Sequence, residues 1–547
     1  MNLADSEMYQ DLLSLVAIPS VSPSPRENDV AQYIYDRLMK LEYFRKNPWD
    51  LQVLPCEKDL LRRSLVFAIV RAQPTTPKTI ILTGHMDVVS PEVYGKMKDL
   101  AFAPEELTRK IGEDELDDNA RKDLETGEWI FGRGVADMKA GVALCMAKIR
   151  EAAHDPSALG SNIAVLFVPD EENNSGGMLA AVPYLAEYQE KGLRYLACIN
   201  TEPTFSMAPD PPPAVYLGSL GKLNAFFYCI GFQSHVGEYY RGLSSGLITS
   251  HINLILDGNP QYADSHGDSW YSPYGCIKMN DMREEYSATI VSRGVFAYSY
   301  LTSSKKPSEI LEDLEHVAME AQRNALEQYE KNARTFALRS GANNIPVQWE
   351  PGVMSYGELE KRARDFFGER FDQFVEYAFN KCPDNADERD KGLRLVHEMT
   401  KALGLEGPMV IYGLLPPWYP HRINEEESPE ERNLKTVAQD IMKTSRKDFD
   451  QEMELKKFYE GVSDLSYCGY TGGREEVDLF GHNCPVWNRL YHFPSEELVK
   501  LRIPIMNLGP MGKDLHKRTE RIYLPYYMEV LPKLMGLAIE RISALNI

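Results

Sequence analysis

The sequence predicts an α/β protein of two domains: a large one with helices on both faces of a mostly parallel sheet, and a smaller α+β domain inserted into it. Three observations carry this expectation. Apolar runs of strand length at 65–70, 79–83, 163–168 and 195–200 are interleaved with helical periodicity at 136–153 and 177–191, and strands alternating with helices form parallel, helix-covered sheets. From residue 215 the order becomes strand, helix, strand, strand, long helix and a further strand near 347, the ferredoxin-like split pattern β-α-β-β-α-β. After 351 helix and strand alternate again, so the boundaries are 1–214 and 353–547 for the two parts of the large domain and 215–352 for the insert. A chain of 547 residues also needs more than one core.

Residues 9–41 have helical periodicity broken at Ile18-Pro19-Ser20-Val21-Ser22-Pro23, so two helices open the fold. The acidic stretch 112–127 is expected as a solvated loop, because no strand end frames its carboxylates. The insert should contain strands at 222–230, 275–285 and 294–301, with helices at 244–256 and 307–332. The last third contributes helices at 355–379 and 431–447 and strands at 409–415 and 503–508.

Composition excludes several classes of function. Hydrophobic residues make up 43% and charged residues 26%, a globular balance. With 60 Lys and Arg against 81 Asp and Glu, net −21, the chain has no electrostatic footprint for nucleic acid or an anionic membrane. No run approaches eighteen apolar residues, and the first thirty residues lack a basic segment leading into an apolar stretch. Eight scattered cysteines without a CxxC, several inside apolar runs such as Leu196-Ala197-Cys198-Ile199, suit a reducing compartment. These features predict a cytoplasmic protein.

Chemistry-bearing residues collect just past predicted strands, where open α/β sheets place their sites. The run 80–83 ends in Gly84-His85-Met86-Asp87; His85 could bind a metal through one ring nitrogen while Asp87 orients the other, and a surface histidine beside a turn aspartate accounts for the decapeptide equally well. In Gly132-Arg133-Gly134-Val135-Ala136-Asp137 a glycine-rich turn delivers Asp137 to a helix start, where helix capping is the simpler account. Pro169-Asp170-Glu171-Glu172 follows 163–168; adjacent side chains point in different directions, so one carboxylate can hold metal while its neighbour faces water. Glu202 follows the run 195–200.

Taken together, His, Asp, Glu-Glu and Glu at successive strand ends resemble the M20 family of metallopeptidases and amidohydrolases, as does the opening Leu15-Val16-Ala17-Ile18-Pro19-Ser20-Val21-Ser22 with Glu27. The resemblance implies a zinc-peptidase-like large domain with the insert as a lid. It also implies two divalent metal ions, usually zinc, with manganese and cobalt compatible with such ligands. His85, Glu172 and Glu202 would be ligands, Asp137 the bridging ligand, Glu171 the general base, and the peptide after Asp137 cis. The family's last histidine is matched by His516, in Gly512-Lys513-Asp514-Leu515-His516-Lys517-Arg518-Thr519-Glu520 after the strand at 503–508; His482 and His492 follow no apolar strand. His235, in Gly231-Phe232-Gln233-Ser234-His235-Val236-Gly237, inherits the role of steadying the oxyanion, and a simple loop histidine is the bland account. Gly461-Val462-Ser463-Asp464 resembles the family's substrate loop without the arginine often found just beyond it. The Asp137-Met138-Lys139-Ala140-Gly141 stretch and the 281–286 and 415–420 segments are most similar to the subgroup called arginine utilization protein RocB, a pathway association that names no substrate. Implied partners are a small peptide or amide substrate and a second copy joined through the lid domain. A protein that kept this scaffold only to bind metal or ligand would not need a positioned base at Glu171.

Overall fold

The computed structural model describes residues 6–113, 115–205, 210–283, 285–341, 347–425 and 428–545. It divides into two compact units: 1–220 with 421–471 and 496–547, and 221–420 with 472–495.

The first unit is built on an eight-stranded sheet. In chain order its strands are β1 (Leu51–Pro55), β2 (Ser64–Val70), β3 (Lys78–His85), β4 (Asn162–Val168), β5 (Arg194–Asn200), β6 (Ala214–Tyr216), β7 (Glu454–Lys456) and β8 (Ile505–Asn507). Across the sheet they run β1-β2-β4-β3-β5-β8-β6-β7. The central run β4-β3-β5-β8 is parallel throughout, and antiparallel pairs lie outside it at β1-β2, β2-β4 and β8-β6. Strands β3, β4 and β5 are buried along nearly their whole length, as parallel strands covered on both faces must be. Helices lie on both sides of this sheet, among them α1 (Glu7–Val16), α2 (Glu27–Leu38), α3 (Ala140–His154) and α4 (Gly176–Glu190). One continuous core joins α1, α2 and α3 to β2, β3, β4 and the last helix, Leu531–Ser543. Its Leu, Ile and Val side chains supply the burial that offsets chain entropy.

The acidic stretch 112–127 is not simply a loop. Asp118–Thr126 is helical: Asp117 caps it by accepting the Ala120 N–H at 2.8 Å, and Gly127 closes it with φ 71°. Leu116 and Ala120 bury an apolar edge of this segment against Trp129 and Phe131, and Asp123 is buried with them, held by Lys513 at 2.8 Å and Arg521 at 2.7 Å, so the segment is a short amphipathic helix.

The second unit contains a five-stranded sheet. Strand Gly221–Ile230 lies between Arg293–Thr302 and Met409–Tyr419; Gly275–Asp281 forms one edge and Gly352–Ser355 the other. The expected strand near 347 is found at Gly352–Ser355, and the expected helix over 355–379 breaks at Gly368 into Tyr356–Phe367 and Phe371–Asn380. Met409–Tyr419 pairs antiparallel with Gly221–Ile230, so 353–420 belongs with the second unit, not with the large domain as expected, and the first boundary falls at 220 instead of 214. No described helix is long and apolar enough to cross a membrane.

Candidate metal centre

Seven of the eight predicted site residues lie in the first unit. His85 is the last residue of β3, in register with Val168 of β4. Its Nδ1 lies 3.1 Å from the carbonyl oxygen of Asp87 and 3.5 Å from the Asp87 carboxylate. That leaves Nε2 facing Asp137 Oδ1 at 3.1 Å, Glu202 Oε1 at 3.4 Å and Glu171 Oε2 at 4.0 Å. Asp87 does more than orient this ring, for its two carboxylate oxygens accept the N–H groups of Glu171 and Glu172 at 3.1 and 3.0 Å.

Asp137 does not cap a helix. Its φ and ψ of −115° and 94° are non-helical, and its two carboxylate oxygens face two imidazoles, Oδ1 that of His85 and Oδ2 that of His516 at 3.2 Å. The turn before it needs Gly134, whose φ is 78° and where a Cβ would lie 2.6 Å from Val88 Cγ1. The peptide between Asp137 and Met138 is cis. Glu520 holds the turn by accepting the N–H groups of Ala136 and Asp137, both at 3.2 Å. Arg133 pairs with Glu520 and donates to the His516 carbonyl oxygen at 3.0 Å. His516 Nε2 lies 3.1 Å from Glu172 Oε2, whereas His482 and His492 fall in the second unit.

Glu202 is fixed by its backbone: Asn507 of β8 accepts its N–H at 3.1 Å and donates to its carbonyl oxygen at 2.9 Å. The strand pairing that sets Asn507 opposite Asn200 makes this possible. Gly509 allows the close approach, since a Cβ there would sit 2.1 Å from the Glu202 oxygen.

Electrostatics follow from burial and proximity. Burial pulls the His85 imidazolium down, but Glu202, Asp137 and Asp87 outweigh it and leave the group well above the usual histidine range. Hydrogen bonds to Asp137 and Glu172 push His516 up to about 11. Asp137 is desolvated, yet His516 and His85 hold its carboxyl below the usual range. Desolvation raises Glu172 and takes Glu202 to about 8, with Asp137 adding to both. It lifts Glu171 well above normal against the pull of His85, helped by Asp464 and Glu202. Asp464, buried and accepting the Ser175 hydroxyl at 2.8 Å, is raised by burial to about 7.

The donor set fits divalent cations. Ligand atoms of His85, Glu171 and Glu202, and of His85, Asp137 and Glu172, lie within 4.8 Å of one another. Glu172 Oε1 is buried with no hydrogen-bond partner, a lone pair directed at nothing in the protein. Imidazole and carboxylate are ordinary ligands for zinc and related metals. His235 lies in the second unit, exposed, capping the turn Val236–Arg241 through the Gly237 N–H. Sequence reasoning missed Arg133 and Asn507, although an arginine between two glycines and an asparagine in an apolar strand are visible signals.

A fold with a parallel sheet, an acidic two-histidine centre at its strand ends and a second α+β unit defines a metallohydrolase, and residues 81–208 match the family model described as Peptidase family M20/M25/M40. The protein YqjN of Bacillus subtilis (strain 168) is 32% identical over 538 residues, 97% of this chain and 96% of that one. Protein RocB of the same strain is 30% identical over 533 residues, 95% and 92% of the two chains. The chain belongs to the M20 family, an enzyme class of metallopeptidases and amidohydrolases. The M20 family metallo-carboxypeptidase Sso-CP2 from Sulfolobus solfataricus has the same fold, with a TM-score of 0.54 at 11% identity over 99% of this chain and 100% of that one.

Proposed function

We propose that the protein hydrolyses an amide or peptide bond in a small substrate, a dipeptide, an N-acyl amino acid or a related compound, with Glu171 as general base. The observation that carries this reading is the turn at 171–172, which sets one carboxylate beside the His85–Glu202 pair and its neighbour beside His516. Two divalent metal ions, zinc in our reading, would be held by His85, Glu202, Glu172 and His516 with Asp137 shared; when bound they supply Lewis acidity, lowering the pKa of water and polarising a carbonyl. Glu171 takes a proton from the attacking water on its carboxylate and returns it to the leaving nitrogen. Burial, Asp464 and Glu202 raise its affinity for protons, as a group that takes up and returns a proton needs. Asp87 keeps His85 Nε2 facing the other donors. To His235 we assign the donor to the developing oxyanion, where one placed donor is worth roughly 3 kcal/mol. The likeness to a metallo-carboxypeptidase supports peptide-bond chemistry, and the likeness to RocB makes derivatives of arginine worth including in a screen. We also assign the lid's edge strand, Gly275–Asp281, to pairing with a second copy.

The test is a hydrolysis screen on dipeptides and N-acyl amino acids, with metal content measured in parallel. Glu171→Gln should lower kcat by at least roughly a thousandfold while about two metals per chain remain, and Glu172→Ala should lose metal. Undiminished turnover in Glu171→Gln removes the base assignment; metal without turnover in the wild type on every amide tried favours a binding protein on the same scaffold.

A further inference from the structure

Asp170, the residue before Glu171, has φ 71°, a conformation that a non-glycine residue keeps where its surroundings over-determine it. Each of its polar groups is engaged. Its N–H donates to Glu27 Oε2 at 2.8 Å. Its carbonyl oxygen accepts the N–H groups of Asn174 and Ser175 at 3.1 and 2.7 Å. Its carboxylate accepts from the Ser22 hydroxyl at 3.3 Å, the Gly176 N–H at 3.1 Å and Arg63 Nη1 at 2.5 Å.

Arg63, on the segment that enters β2, makes this a closed ring. The same Nη1 reaches Glu27 Oε1 at 3.1 Å, and Nε and Nη2 each hold Asp59 at 2.9 Å. Arg63 is 6% exposed, Glu27 0% and Asp170 2%, so little water screens these bonds. On the other side of the turn the Glu171 and Glu172 N–H groups are held by Asp87. The peptide chain bearing both functional glutamates is thus clamped from two directions, and the guanidinium is the cation of the outer clamp.

We propose that Arg63 is a positioning residue for Glu171 and Glu172, acting through Asp170. It touches neither the substrate nor a metal ligand; it fixes the residue from which both side chains are launched. The planar fork presents Nη1 to Glu27 and Asp170 and Nε with Nη2 to Asp59 from fixed, separated positions, a geometry that the single nitrogen of an ammonium does not reproduce. The inference rests on the reading of Glu171 as base and Glu172 as ligand.

Arg63→Lys separates positioning from charge balance, because it keeps the cation and removes the fork. Cobalt(II) loaded into wild type and variant reports the ligand geometry through its visible absorption without any turnover. We expect a folded Arg63→Lys protein with altered cobalt bands, kcat lower by about 10- to 100-fold and KM within about twofold, the penalty of a misplacement near 1 Å. Loss of cobalt from a variant whose circular dichroism is native is the stronger form of the same result. Cobalt bands and kcat equal to wild type would overturn the role of Arg63 alone, whereas a wild type that takes up no cobalt would overturn the metallohydrolase reading itself. Should Arg63→Lys not fold, Asp59→Asn loosens the guanidinium from its far side while sparing Glu27 and Asp170; unchanged bands there would equally sink the proposal.

Discussion

Asn507 shows what a single amide contributes to the centre. It satisfies both backbone groups of Glu202 while itself only 1% exposed. Asn507→Ala would leave a buried N–H and C=O unpaired, at a cost of about 1–3 kcal/mol, and would free Glu202 to turn. We expect a lower melting temperature and weaker metal binding, read by calorimetry and by competition with a chelator; unaltered affinity would mean that Glu202 is held by its strand alone. His235→Ala belongs to the same scale: turnover should fall roughly a hundredfold with metal content intact, and an unchanged rate ends its oxyanion role. His85, Asp137, Glu171, Glu172 and Glu202 were legible in the sequence because each closes a local pattern, an apolar strand or a glycine turn. Arg133 and Asn507 stand out in their local sequence, but their roles and that of Arg63 were hidden, because their partners Glu520, Glu202 and Asp170 lie 387, 305 and 107 residues away. The capping reading of Asp137 fitted its neighbours in sequence and failed because His85 and His516 arrive from elsewhere.

At the scale of elements, alternation and apolar runs located β2, β3, β4, β5 and β8 of the eight-stranded sheet closely, since burial on both faces writes itself into composition; the short outer strands β1, β6 and β7 had no such run and were not expected. The same signal misassigned Met409–Tyr419. A strand buried nearly throughout declares that it is covered, not which sheet it joins, and its partner Gly221–Ile230 is equally apolar. Helix Glu388–Ala402 of the same unit makes a buried polar contact with the strand Gly221–Ile230, His397 Nδ1 lying 2.7 Å from the Tyr228 hydroxyl. Burial lowers His397 to about 4. The unfolded chain therefore binds the proton first as pH falls, so the stability associated with neutral His397 is complete above pH 6.5, declines below it and is gone by about pH 4. The span corresponds to roughly 3 kcal/mol. Chemical denaturation at pH 7 and pH 4.5 should show this slope in the wild type and a shallower one in His397→Gln; equal slopes would exclude His397 as the source.

For the whole molecule, the change of strand and helix order near 215 lies close to the division at 220, but the second crossing was not readable, because helix and strand alternate in 353–420 as they do in the large domain. The edge of the second unit's sheet presents Gly275–Asp281 with Ile277 and Met279 55% and 67% exposed. An unpaired edge with apolar side chains is a template for strand addition. If two copies join there, as we propose, Met279→Lys should shift the protein from dimer to monomer in sedimentation equilibrium; a wild type that sediments as a monomer at micromolar concentration disposes of the idea.

The contacts from Asp137 to His516 and from Arg133 to Glu520 carry a consequence for how the protein is made. Translation delivers the first carboxylates of the centre early and its last imidazole after more than five hundred residues. A growing chain holds β3, β4 and β5 long before β8 can enter between β5 and β6 and bring Asn507 and His516 with it. The centre therefore cannot be complete until nearly the whole chain has been made and β8 has entered the sheet between β5 and β6.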